Sequence, residues 1–185
     1  VEPSIAATRV ATAVRRAHAS DAAALAQLVN QAYAVEASFI DGQRTTVDEI
    51  SQLIGCFLVL EYAGGIGAAV LFQGPGERAG LPPEQAYFGM LAVHPALQGM
   101  GLGRRMVEVA EALAAAAGAT AMRLRMISLR EELSRWYKSL GYREVGTAPY
   151  THRTTKRPLH FIDMAKPLAP ALRDLGDIAA AAGVA

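Results

Sequence analysis

The segment Gln98-Gly99-Met100-Gly101-Leu102-Gly103-Arg104 constrains this chain more than any other. It follows an apolar stretch, Met90-Leu91-Ala92-Val93, and opens a long helical pattern. Three glycines within five residues leave backbone amides uncovered where that helix begins. The first N–H groups of a helix have no intrahelical partner, and the helix dipole adds positive charge beside them. A start of this kind is an anion site suited to phosphate. Arg104 and Arg105 stand in the same first turn, where positive side chains oppose the dipole unless a phosphate lies nearby. The segment points to a phosphate-bearing ligand and so to an enzyme.

The totals narrow the classes. The 185 residues suffice for one domain, expected over 1–185 with a core at about 13–168 and peripheral tails at 1–12 and 169–185. Lys and Arg total 18 against 17 Asp and Glu, which argues against a strong field for nucleic acid or a membrane. Cys56 is the only cysteine, so no intrachain disulfide forms, which fits a cytoplasmic protein. In the run Cys56-Phe57-Leu58-Val59-Leu60 it reads as a small buried hydrophobe rather than a catalytic thiol. The richest apolar window, 107–121, carries Glu108 and Glu111 and does not read as a membrane span. The first residues lack the apolar centre of a secretory signal.

Periodicity supplies the elements. A strand is expected over 12–17, then a helix over 21–29 with Ala24, Leu25, Leu28 and Val29 on one face and Ser20 as N-cap. Val47, Ile50, Leu53 and Ile54 give a second helix, capped by Thr45 or Thr46. Residues 56–61 and 67–72 read as strands joined at Gly64-Gly65. Residues 73–85 are rich in Gly and Pro and read as an exposed loop. A fourth strand covers 86–93, and Pro95 ends its ladder. A helix over 101–117, with a stripe of Val107, Ala110, Leu113 and Ala114, stops at Gly118. A fifth strand at 121–127 puts Met122, Leu124 and Met126 opposite Arg123 and Arg125. A helix over 131–140 is closed by Gly141, and strands follow at 142–146 and 159–165. The weak pattern Leu172, Leu175, Ile178 reads as a peripheral tail. This order gives a mixed sheet with helices on both faces.

Two segments resemble the Gcn5-related N-acetyltransferase (GNAT) superfamily. In the first, Gln98, Gly101 and Gly103 fill that family's acyl-CoA pyrophosphate pattern. The second, Trp136-Tyr137-Lys138-Ser139-Leu140-Gly141-Tyr142, is similar to its aromatic-tyrosine helix ending in glycine-aromatic. Other glycine motifs fail in detail. A nucleoside-triphosphate loop needs a lysine and a hydroxyl residue where Arg104 and Arg105 stand, and a dinucleotide fingerprint needs an acid that the 121–127 strand lacks. The resemblance implies the acyl-CoA N-acyltransferase fold. That fold is α/β (α+β), with a mixed, mostly antiparallel sheet of about 6–7 strands and helices on both faces.

It also implies a site. Acetyl-CoA would lie between splayed strands at 86–93 and 121–127, and no metal is called for. Leu91, Ala92 and Val93 would meet the pantetheine arm. Gly99, Met100, Gly101, Leu102, Gly103 and Arg104 would hold the pyrophosphate, with Gln98 shaping the turn. Ser128 stands where many relatives have asparagine, and Arg130 would hold either the adenosine phosphate region or a nearby acid. Tyr137 matches the family's general acid, and Trp136 beside it packs or lines a pocket edge. The base is less defined. Glu36 leads among Asp41, Glu84 and His94, because residues 86–93 contain no carboxylate and Gly89 stands near the position that often carries one.

Tyr33, Glu36, Phe39, Asp41 and Met90 are expected to border the acceptor. Glu36 or Asp41 would attract an amine, whereas Arg44 would bind a carboxylate, as in an amino acid. The basic loop 153–157 reads as a solvated face or a site for an acidic partner. The leading expectation is an N-acetyltransferase that uses acetyl-CoA and a small primary amine, in a chain that forms a possible homodimer. A protein or peptide amine is the next acceptor, and a non-catalytic acyl-CoA sensor is the competing class.

Overall fold

The computed structural model describes residues 13–169; the expected tail at 1–12 and all but residue 169 of the one at 169–185 lie outside them. Seven strands form one sheet in the order β1-β2-β3-β4-β5-β7-β6. They are β1 (Val14–Arg16), β2 (Phe57–Tyr62), β3 (Gly65–Gln73), β4 (Gln85–Val93), β5 (Ala121–Ile127), β6 (Arg143–Pro149) and β7 (His160–Pro167). All neighbours are antiparallel except β4 and β5, which run parallel. The sheet is therefore mixed and mostly antiparallel, with helices on both faces, as expected. Among the described residues the α-helices are α1 (Ala22–Ala32), α2 (Val47–Gln52), α3 (Leu102–Ala116) and α4 (Glu131–Ser139).

Two apolar layers hold the sheet. On one face, Met106, Val107, Ala110 and Ala114 of α3 pack with Leu58, Val70, Phe88, Met122 and Leu124. On the other, Leu25, Leu28 and Val29 of α1 and Ile50 of α2 pack on Phe57, Val59 and Leu71. β3 is buried from Gly67 to Phe72, because layers cover both of its faces. That burial explains its unbroken apolar run.

Three local expectations are corrected. Ser20 does not cap α1. Residues 19–21 form a 3₁₀ turn, and the Asp21 carboxylate accepts the His18 N–H at 2.7 Å. Leu113 is 39% exposed, and Met106 takes its place in the α3 stripe. The first hairpin turns at Ala63 and Gly64, both at positive φ, one residue before the expected Gly-Gly. Thr46 does cap α2, in a reciprocal box with Glu49.

The seam between β4 and β5 sets the site. Their pairing covers only Gln85–Tyr87 with Ala121–Arg123. Beyond Tyr87 the strands part, and the facing edge of β4 has no strand partner. β4 also carries a bulge opposite Val70, with Met90 at φ +46°. The extra residue reverses the alternation. Phe88 faces the α3 layer, and so do Leu91 and Val93 after the bulge, while Met90 and Ala92 face the α1 layer.

Candidate active site

Two cavities open from the parted seam. A cleft of about 470 Å³ lies over the start of α3, lined by Leu91, Val93, Gln98, Gly99, Gly101, Leu102, Gly103 and Arg104 on one wall. Arg130, Leu133, Trp136 and Tyr137 form the opposite wall. The local chain explains the shape. Gly99 and Gly101 hold φ of +80° and +82°, a region open to glycine and strained for other residues. Gly101 is the N-cap of α3 and has no side chain to satisfy the first-turn amides. A Cβ at Gly103 would lie 3.6 Å from Val93 and 3.7 Å from Trp136, on the cleft side of the helix. Gln98 donates its side-chain amide to the Val93 carbonyl at 3.4 Å, tying the turn to the strand.

The second cavity, of about 440 Å³, lies where β4 and β5 diverge. Tyr33, Glu36, Arg44, Arg78, Tyr87, Met90, Arg125, His152 and Arg153 are among its lining residues. Tyr33, Leu91, Leu133 and Tyr137 line both cavities, so the two meet there. An open groove of about 630 Å³ over α1 shares Tyr33, Glu36 and Arg44 with the second cavity.

Tyr137 is buried in an aromatic cluster with Phe88, Trp136 and Tyr142, at ring distances of 5.9, 4.8 and 5.9 Å. Tyr142 donates its hydroxyl to Glu111 at 2.7 Å, whereas the Tyr137 hydroxyl has no such partner among the described residues. Burial pushes the Tyr137 pKa well above the ordinary tyrosine value, and the nearby Tyr33 and Tyr87 add to the rise. The group stays protonated and holds its hydrogen at the junction. Tyr33 is pushed up to about 12, again mainly by burial.

Glu36 sits on a 3₁₀ turn, Ala34–Ser38, and is only 7% exposed. Arg130, at the N-cap of α4, reaches it at 3.2 Å and also meets Glu132. Burial raises the Glu36 pKa, against the pull of Arg130 and Arg44. Of the two roles considered for Arg130, the geometry shows the bond to a nearby acid; its side chain still lines the cleft.

Several expected site residues lie elsewhere. Phe39 is buried in a small cluster with Ile40, Ile127 and Phe161, because its turn packs on the ends of β5 and β7. Asp41 points outward and pairs with Lys156 at 3.3 Å. Ser128 continues the β5–β7 ladder: its hydroxyl accepts the His160 N–H at 3.2 Å, and it lines neither cavity. Ala92 is buried in the α1 layer, and Met100 is exposed outside the cleft lining. His94 accepts the Ala96 N–H at 3.3 Å and thereby caps its own turn. The basic loop is tied inward, with Arg153 near Glu49 and Lys156 bonded to the Ala37 carbonyl.

Sequence reasoning overlooked Arg78, Tyr87, Arg125 and His152. Arg125 had a usable signal: alternation sets it opposite the Met122 face, and the seam opens on that side. Arg78 comes from the loop read as exposed, and its guanidinium lies 3.6 Å from the Tyr87 ring centroid. Gly89 makes room for that ring, since a Cβ there would come within 2.9 Å of the Tyr87 hydroxyl.

A family model described as an acetyltransferase (GNAT) domain matches residues 54–144. No curated protein matches the chain. Among solved structures, the ribosomal-protein-S18-alanine N-acetyltransferase of Escherichia coli has a TM-score of 0.69 at 19% identity, over 89% of this chain and 99% of its own. YncA from Salmonella typhimurium, solved with its cofactor acetyl-CoA, has a TM-score of 0.66 at 25% identity, over 90% of this chain and 99% of its own. N-acetylglutamate synthase from Neisseria gonorrhoeae, complexed with coenzyme A and N-acetyl-glutamate, has a TM-score of 0.64 at 18% identity, over 86% of this chain and 35% of its own. No helix among the described residues is long and apolar enough to cross a membrane.

Proposed function

The chain belongs to the GNAT superfamily, and from that premise we propose that it transfers an acetyl group from acetyl-CoA to a primary amine of a small molecule. One observation carries the reading. Tyr137, whose hydroxyl has no hydrogen-bond partner among the described residues, stands where a phosphate-suited cleft meets a second cavity of small-molecule size.

The cleft residues suit the donor. The amides at the start of α3 and the side chain of Arg104 offer positive charge to a pyrophosphate. The unpaired edge of β4 at Leu91 and Val93 offers backbone groups to an extended arm. Bound acetyl-CoA supplies an activated thioester carbonyl. Across the junction, the amine nitrogen gains a carbon bond as the carbon–sulfur bond breaks. Tyr137 holds a proton at its hydroxyl for the departing sulfur. Glu36 faces the acceptor side with a raised pKa, which suits a carboxylate that receives the amine's proton through water. The relatives act on different amines, so their acceptors are not carried over.

The test is thiol release from acetyl-CoA over a panel of amines, amino acids and peptides, with the Tyr137→Phe variant beside the wild type. Turnover on a small amine, lost in the variant, is expected. Full thiol release by the variant overturns the role of Tyr137. Acetyl-CoA binding without turnover on any amine supports a sensor instead, a reading favoured by the lack of a carboxylate on β4.

A further inference from the structure

The acceptor cavity is lined by four arginines, and their partners differ. Arg125 is satisfied by Asp163, at 2.6 and 2.9 Å. Arg153 donates to the Arg44 carbonyl at 3.2 Å and lies 3.5 Å from Glu49. Arg44 and Arg78 have no carboxylate within 4.0 Å among the described residues. The acids on the wall, Glu36 and Glu49, already face Arg130 and Arg153.

The two guanidinium groups without an ion pair each lie over a tyrosine ring. Arg78 lies over Tyr87 at 3.6 Å and gives one donor to Gln73 at 2.9 Å. Arg44 lies over Tyr33 at 5.2 Å. At 3.6 Å the Arg78 contact is a stack, which engages the flat face of the guanidinium and leaves the in-plane N–H groups other than the one on Gln73 for an oxyanion. Two like charges lining one cavity repel each other, and an anion bound in that cavity relieves the repulsion.

We infer that the amine acceptor carries an oxyanion, a carboxylate, phosphinate or phosphonate, which Arg44 and Arg78 bind while the amine faces Tyr137. This names the acceptor class within the acetyl-transfer reading above and rests on it. The same positive field acts on the amine, lowering its pKa and favouring the neutral form that attacks. It also disfavours polyamines, aminoglycosides and lysine side chains as acceptors. The field is felt at His152 on the same wall, whose pKa is depressed first by burial and then by Arg44, Arg125, Arg153 and Arg78.

The experiment compares kcat/KM with acetyl-CoA for an α-amino acid, its methyl ester, its decarboxylated amine, an aminoalkylphosphonate and spermine. The expected result is at least tenfold preference for the free oxyanions. The carboxylate and phosphonate arms show which oxyanion is preferred. Arg78→Gln is expected to raise the KM of the preferred oxyanion at least tenfold, to erase its advantage over the ester, and to leave the KM of acetyl-CoA unmoved. Equal turnover of the ester, the decarboxylated amine or spermine overturns the inference, as does an intact acid preference in Arg78→Gln. Binding is read separately, as the shift in melting temperature that the N-acetylated acid or phosphonate causes in the presence of coenzyme A. No turnover with any acceptor counts against acetyl transfer. No such shift in the wild type, or an equal shift in Arg44→Gln and Arg78→Gln, overturns the oxyanion site.

Discussion

The proposed donor cleft and the proposed acceptor cavity share Tyr137 and differ in what builds them. The cleft is mostly main chain: a glycine turn, the first amides of α3 and an unpaired strand edge come from one stretch, about residues 91 to 104. The acceptor cavity is mostly side chain. Its polar groups come from the 3₁₀ turn after α1, the loop before α2, the loop before β4, β5 and the loop after β6. A site built from main chain depends on the few residues that permit its backbone path. A site built from scattered side chains can change its ligand one residue at a time without disturbing the fold.

The largest expected effect is at the junction. Tyr137→Phe removes the proposed proton donor and leaves the ring packing, so kcat is expected to fall about 100-fold or more with little change in melting temperature. Steady-state thiol release and a melting curve check both. The next effect is on stability. Arg130→Met would leave Glu36 buried and unpaired, a loss of about 3 kcal/mol in urea unfolding. An unchanged midpoint would show that the bridge between the two walls is idle.

A smaller change separates the two sites. Gly101→Ala forces an alanine to φ +82°, at about 1–2 kcal/mol, and is expected to raise the KM of acetyl-CoA and not that of the acceptor. The pH profile is a further check. A general acid works while protonated, and burial raises the Tyr137 pKa. Activity is therefore expected to persist through pH ~10, where an ordinary tyrosine is half ionised. A kcat that falls with an ordinary tyrosine's midpoint, near pH ~10, contradicts the burial.

The smallest effect serves as a remote control. Arg15 holds the Asp21 carboxylate below its usual pKa, so their contact stabilises above pH ~4 and is lost as the pH falls below it. Asp21→Asn should lose no more than about 1 kcal/mol at pH 7, converge with the wild type in acid, and leave both KM values alone.

The contrast between the sites also explains what could be read from the sequence. Alternation and helix spacing placed the strands and helices closely, down to β5 at Ala121–Ile127. Gln98–Arg104 pointed to the proposed phosphate turn because the groups that would bind there belong to the backbone that the glycines uncover. The bulge at Met90 was not visible, since one extra residue leaves the apolar composition of β4 unchanged while reversing which side chains face which layer. The acceptor wall was largely hidden. Phe39 and Asp41 lie close to Glu36 in sequence, yet the turn sends one into the core and the other to Lys156. Arg78 reaches the cavity only through its stack on Tyr87, a tertiary contact that no local spacing encodes.

The most direct test of the backbone-built cleft is calorimetric titration of acetyl-CoA into the wild type and Gly103→Val. The Gly103 Cβ position points toward Val93 and Trp136 on the cleft walls, with room in the protein for a methyl group. Gly103→Ala is expected to bind nearly as well as the wild type. Gly103→Val is expected to melt within a few degrees of the wild type and to lose at least tenfold in affinity, because its side chain projects into the cleft. Undiminished binding of acetyl-CoA by Gly103→Val would contradict the assignment of this cleft to the donor.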